Sequence, residues 1–136
     1  MAAVLYVDDE PTIRRAVQLW LARYGITVHT AAGVADAQRA VEEQALDGVF
    51  VDVWLEDGSG FQLLDWLRRE HPALARRVVF VTGDIAGGAA VGRRLLATGC
   101  RTLTKPFDLE ELKSVAEAWV RGRDDGGEAR RPHASA

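Results

Sequence analysis

The stretch Ala3-Val4-Leu5-Tyr6-Val7-Asp8-Asp9-Glu10-Pro11 is a run of strand length that breaks off into acids and a proline. A short run of apolar side chains without polar alternation suits a strand buried on both faces of a parallel sheet. Pro11 lacks a backbone N–H and so fits the first turn of a helix, where no intrahelical partner is needed. From there Ile13, Ala16, Val17, Trp20, Leu21 and Tyr24 recur at helical spacing until Gly25, which stops the pattern. The opening thus reads as strand, acidic loop and amphipathic helix.

The same unit recurs along the chain. Gly48 to Val51 and Val78 to Val81 are continuously apolar, as central strands should be, whereas Ile26 to Ala31 alternates and reads as an edge strand. Cys100 to Thr104 is a weaker fifth candidate. Between them, Val34, Ala37, Val41 and Ala45 mark a second helix, and Gly60, Leu63, Leu64 and Leu67 a third that His71-Pro72 ends. A fourth, from about Ala86 to Ala97, contains Gly87, Gly88 and Gly92. Each glycine costs about 1 kcal/mol relative to alanine inside a helix, so this one is expected to be mobile or to start late. Asp108 followed by Glu111 predicts a capping box for the fifth helix, with Leu112, Val115, Ala116 and Trp119 as its buried stripe before Gly122. Repeated strand–helix units predict an α/β fold, a doubly wound parallel sheet with right-handed crossovers and helices on both faces.

Composition agrees with one such domain. The chain has 136 residues, 48% hydrophobic and 27% charged, enough for one packed core. The segment 122–136 has no apolar periodicity and predicts a disordered tail after a domain spanning 1–121. A net charge of -3 gives no general attraction for nucleic acid or an anionic membrane, so neither is expected as a direct partner. Cys100 is the single cysteine, which rules out an internal disulfide and fits a reducing compartment. Residues 2–7 are too few for a signal peptide or a membrane span, and the reading is a soluble, cytoplasmic chain. His29, His71 and His133 are scattered without metal-ligand spacing.

In open α/β sheets ligands sit beyond the carboxyl ends of the strands, and polar residues there are the candidates for function. The first strand ends in Asp8-Asp9-Glu10, the third in Asp52, the fourth in Thr82, and the fifth runs into Lys105-Pro106. Proteins that cradle phosphate in the first loop use glycines and backbone N–H groups there, and this loop has acids instead. Asp8, Asp9 and Asp52 at one sheet edge would repel one another and demand a cation, and hard oxygen ligands with room for water suit Mg²⁺. Any one of Asp8, Asp9 and Glu10 reads equally well as a helix cap, but the set of residues at the strand ends does not. Asp52 is the most telling, because it ends a Val-Phe-Val run where burying a charge costs stability unless a partner compensates.

Over residues 3–121 the sequence resembles the receiver domain of bacterial two-component response regulators. The matching segments are Val4 to Glu10, Val51-Asp52 with Gly60 eight residues after the acid, Val79-Phe80-Val81-Thr82-Gly83, and Leu103-Thr104-Lys105-Pro106-Phe107. The resemblance implies a flavodoxin-like fold of five parallel strands in the order 2-1-3-4-5 with five helices. It implies that Asp52 is the phosphoacceptor, taking a phosphoryl group from a phosphohistidine. It further implies that Asp9, Asp52 and the backbone carbonyl of Trp54 bind Mg²⁺ directly, that Asp8 helps through water, that Lys105 contacts the phosphoryl group and that Thr82 hydrogen-bonds it. Such chemistry needs positioning and neutralisation of phosphoryl oxygens more than bond-making side chains. The implied partners are a histidine kinase or phosphotransfer protein and a downstream effector protein, with a homodimer through the fourth and fifth helices as a family option. On this reading the chain takes part in its own phosphotransfer and autodephosphorylation and is otherwise not an enzyme.

The sequence departs from the family pattern in two places. Thr102 stands where many receivers carry an aromatic residue, which shifts the expected output to the glycine-rich fourth helix and its loop, and Glu56 stands where many have proline. Trp54, two residues after the acceptor, is expected either to shield the phosphoryl group from water and slow its loss or to pack at a partner interface. A stand-alone receiver is the leading reading, with a receiver module of a hybrid histidine kinase behind it. From another class, a small Mg²⁺-dependent phosphatase with an aspartyl nucleophile, as in the haloacid dehalogenase-like family, would need a second Asp where Trp54 stands.

Overall fold

The computed structural model describes residues 2–83 and 88–122. In chain order it contains β1 (Ala3–Val7), α1 (Pro11–Ala22), β2 (Thr27–Ala31), α2 (Val34–Glu43), β3 (Gly48–Val51), β4 (Trp54–Leu55), β5 (Gly58–Ser59), α3 (Gly60–Glu70), α4 (Pro72–Ala75), β6 (Val78–Thr82), α5 (Ala89–Thr98), β7 (Arg101–Thr104) and α6 (Leu109–Val120). Five strands form a parallel sheet in the order β2-β1-β3-β6-β7, while β4 and β5 pair as a small antiparallel hairpin. With that hairpin set aside, the order is the expected 2-1-3-4-5.

Alternation along the strands divides the core. Leu5, Val7, Val49, Val51 and Phe80 point to the layer built with α2, α3 and α5. Val4, Tyr6, Phe50, Val79 and Val81 point the other way, against α1 and α6. Because both faces are covered, β1, β3 and β6 are buried along their whole length, and β2 at the edge is not. The largest buried side chain, Trp119 of α6, lies over Gly48, where a Cβ would collide with the indole, and its ring centroid is 4.8 Å from that of Phe50.

Some expectations need correction. There are six helices, not five, because Pro72 ends α3 and also starts the four-residue α4 after the break at His71. Tyr24 and Ala16 are exposed, outside the stripe that Val17 and Leu21 bury; the Tyr24 ring lies tilted against Trp20 at 4.9 Å, under the Lys113 ammonium. Ala45 lies beyond α2, whose chain turns extended at Gln44. Asp108 caps α6 through the Glu110 N–H without a reciprocal bond from Glu111. A full capping box forms instead at Ser59 and Gln62, at the start of α3. The late start expected for the glycine-rich helix is found: α5 begins at Ala89, from Gly88 at φ 66°. The expectations for Ala86 and Gly87, and for the tail over 123–136, lie outside the described residues. Among the described residues no helix is long and apolar enough to cross a membrane.

Candidate functional site

Strand register assembles the site. Val7 is level with Val51, Val51 with Phe80, and Thr82 with Thr104, so the residues that follow converge at one end of the sheet. Ladder bonds carry on past the strands: Asp8 N–H donates to the Ala31 carbonyl at 3.0 Å, Asp52 N–H to Val7 at 2.9 Å and Lys105 N–H to Thr82 at 2.8 Å. Each functional side chain is therefore held by backbone pairing.

Asp8, Asp52 and Thr82 are buried, while Asp9 is exposed at the rim. Lys105 Nζ lies 2.8 Å from Asp8 Oδ2, 2.8 Å from Asp52 Oδ2 and 3.5 Å from Glu10 Oε1. One ammonium thus faces three carboxylates. Burial by itself would lower the Lys105 pKa, but the hydrogen bonds and charges of Asp52 and Asp8 raise it above the ordinary lysine range. Burial pushes Asp52 up from the usual carboxylate value; Lys105 pulls it back, and the charge of Asp8 adds to the rise. For Lys105 the two acids outweigh burial, whereas for Asp52 burial outweighs the pull of the one lysine.

Asp8 is held on both oxygens. The Tyr6 hydroxyl donates to Oδ2 at 3.1 Å and the Glu10 N–H to Oδ1 at 3.0 Å, while Arg14 Nη1 donates to the Asp8 carbonyl at 2.7 Å. Burial first, then the Asp8 charge, raises the Tyr6 phenol well above its ordinary range, so it acts as a fixed donor. Sequence reasoning missed Tyr6 and Arg14. The signal for Tyr6 was available, because residues two apart on a strand share a face and Asp8 follows Tyr6 by two.

Asp8, Asp9 and Asp52 each offer a carboxylate oxygen within 4.8 Å of the others. An all-carboxylate donor set with an exposed member at the rim fits a hard cation that keeps part of its water, as Mg²⁺ does. Trp54 N–H reaches Asp52 Oδ1 at 3.4 Å, so the backbone at Trp54 borders the acceptor; its side chain is about half exposed. Gly60 is required by contact, since a Cβ there would run into the Asp52 carbonyl and the Phe80 ring. The structure therefore gathers Asp8, Asp9, Asp52, Lys105 and the Trp54 backbone. Thr82 ends the adjoining strand, joined to Lys105 through the backbone.

Residues 4–117 match the family model described as "Response regulator receiver domain". The response regulator protein PilR of Pseudomonas aeruginosa is 30% identical over 124 residues, which cover 91% of this chain and 27% of that protein. The probable transcriptional regulatory protein TcrX of Mycobacterium tuberculosis is 38% identical over 118 residues, covering 87% of this chain and 49% of TcrX. The chain thus spans about a quarter to a half of the length of these relatives. Among solved structures, a response regulator receiver protein from Pseudomonas putida superposes with a TM-score of 0.75 at 28% identity, covering 85% of this chain and 94% of that one.

Proposed function

Since the chain belongs to the response regulator receiver domains of two-component signalling, we propose that its acidic pocket accepts a phosphoryl group on Asp52 from a partner's phosphohistidine. The observation that carries this reading is the Lys105 ammonium, which sits 2.8 Å from both Asp8 and Asp52 in a pocket that still has an excess of acids.

In the reaction an Asp52 carboxylate oxygen attacks phosphorus in line. The phosphorus–nitrogen bond breaks, the imidazole leaves with the electron pair, and an acyl phosphate forms. Mg²⁺, held by Asp9, Asp52 and the Trp54 carbonyl and through water by Asp8, would supply positive charge to the phosphoryl oxygens. Lys105 already lies within hydrogen-bond reach of the attacking carboxylate, so it moves from Asp52 Oδ2 to a phosphoryl oxygen without leaving Asp8. The Tyr6 hydroxyl and Glu10 N–H keep Asp8 in place, which leaves Asp52 as the carboxylate free to change partners. Thr82 would donate its hydroxyl to the new phosphoryl group, and the pull on this strand end would bias α5.

The proposed partners are a histidine kinase or phosphotransfer protein upstream and an effector protein downstream, with output near α5. The expectation of no DNA contact rests on net charge alone, and a relative about twice as long is named a probable transcriptional regulatory protein.

Incubation with a small acyl phosphate donor tests the reading. One phosphoryl group per chain is expected with Mg²⁺, little with EDTA, and none in Asp52→Ala. Equal labelling of Asp52→Ala would overturn it.

A further inference from the structure

The hairpin that follows the acceptor is tied to a helix on which the chemistry makes no call. Helix α2 begins after Gly33 and has no side-chain cap of its own. Its free N–H groups are satisfied from a distance: Asp57 Oδ1 accepts from Val34 N–H at 2.6 Å and Asp57 Oδ2 from Ala35 N–H at 3.1 Å. A carboxylate that accepts one bond on each oxygen from a helix's first turn is a charge-assisted cap. These two N–H groups hold the Asp57 carboxyl below its usual range.

Asp57 lies between β4 and β5, where Trp54 pairs with Ser59 and Leu55 with Gly58. The other end of the hairpin is fixed by the Ser59–Gln62 capping box on α3. Close packing supports both attachments. A Cβ at Gly33 would collide with the Asp57 carboxylate, and one at Gly58 would collide with Gln62 and press on Val34. The segment that carries Trp54 is therefore held at its tip by α2 and at its end by α3.

We propose that Asp57 is a positioning residue for the phosphoacceptor loop, anchoring the hairpin tip to α2 so that the Trp54 backbone stays against Asp52. The proposal rests on the reading of the acidic pocket given above. Without the tie, the hairpin keeps the burial of Val53 and Leu55 and its attachment to α3, but its tip is released from α2, and the Trp54 carbonyl, which would be a metal ligand, is held less firmly.

The test uses nuclear magnetic resonance on the full chain as wild type, Asp57→Ala, Asp57→Asn and Asp36→Ala, titrated with Mg²⁺ and no phosphodonor. Asp36 is also in the first turn of α2 but pairs with Arg39, so its variant controls for a general weakening of that helix. In Asp57→Ala the Val34 and Ala35 amides should exchange at least tenfold faster, the Trp54 amide should shift before any metal is added, and the apparent Mg²⁺ Kd should rise at least threefold. Asp57→Asn, which keeps one acceptor oxygen, should fall between. Asp36→Ala should leave the Trp54 amide and Mg²⁺ binding as in the wild type. Faster exchange at Val34 and Ala35 with an unmoved Trp54 amide and unchanged Mg²⁺ affinity would reduce Asp57 to a helix cap and overturn the proposal, as would unchanged exchange. A wild type that binds no Mg²⁺ would instead overturn the reading of the pocket, and the Trp54 amide in the metal-free protein would still decide the role of Asp57.

Discussion

Asp52 is the residue at which stability and chemistry oppose each other. It is 8% exposed, and burial raises its pKa against the pull of Lys105. A carboxyl whose folded pKa exceeds its unfolded value binds protons more tightly when folded, so the folded state loses stability as pH rises from the unfolded value through the raised one. At neutral pH without divalent cations the ionised side chain is therefore a cost, and Asp52→Asn is expected to raise Tm by about 2–6 °C. The gain should shrink as pH falls through the raised value towards the unfolded one of about 4 and vanish below it, where the wild-type carboxyl is protonated in both states. Thermal melts of both proteins across that range decide it; a lower Tm for the variant at pH 7 would show that the Lys105 pair outweighs burial. Asp8, Asp9 and Asp52 were legible in the sequence because they close apolar runs, and Lys105 because it leaves the last strand candidate just before Pro106. Arg14 and Asp57 were not, because their partners are backbone groups brought near only by the fold.

At the scale of elements, the strands were legible and the short pieces were not. Continuous runs such as Val4 to Val7 and Val78 to Val81 signal burial on both faces, and the alternation of Thr27 to Ala31 signals the edge. The hairpin strands have two residues each and α4 has four, too few for a period to show. Helix α5 follows its composition, since Gly88 takes a positive φ at the N-cap and the helix begins after it. Trp119 was readable as buried in α6, but its seat on Gly48 of β3 was not, because a glycine opening an apolar run does not name the ring that covers it. Gly48→Ala should push that indole off β3 and lower stability by about 1–3 kcal/mol. Because Gly48 is at the end of β3 away from Asp52, phosphoryl uptake by the folded protein should be unchanged. Denaturant midpoints check the first part and labelling stoichiometry the second; an unshifted midpoint would mean that α6 moves away at little cost.

For the molecule as a whole, the sheet brings three chain segments far apart in sequence to one edge, where Asp8 and Asp9, Asp52, and Lys105 meet. The helices cover its two faces, and Asp9 and Trp54 are exposed at the rim of that edge. This division of labour explains why the parallel sheet and the acid cluster were legible in apolar runs followed by polar residues, whereas the strand order came with the family resemblance carried by the motifs around Asp8, Asp52, Thr82 and Lys105. Under the proposed function this edge is where a phosphoryl group is received. The most direct measurement is phosphotransfer from a panel of phosphorylated histidine kinases in the presence of Mg²⁺, followed by peptide mapping of the modified residue. A single acid-stable, base-labile modification on Asp52, absent from Asp52→Ala, is expected. Transfer to another residue, or failure of every kinase and of small donors to label a folded, Mg²⁺-binding chain, would contradict it.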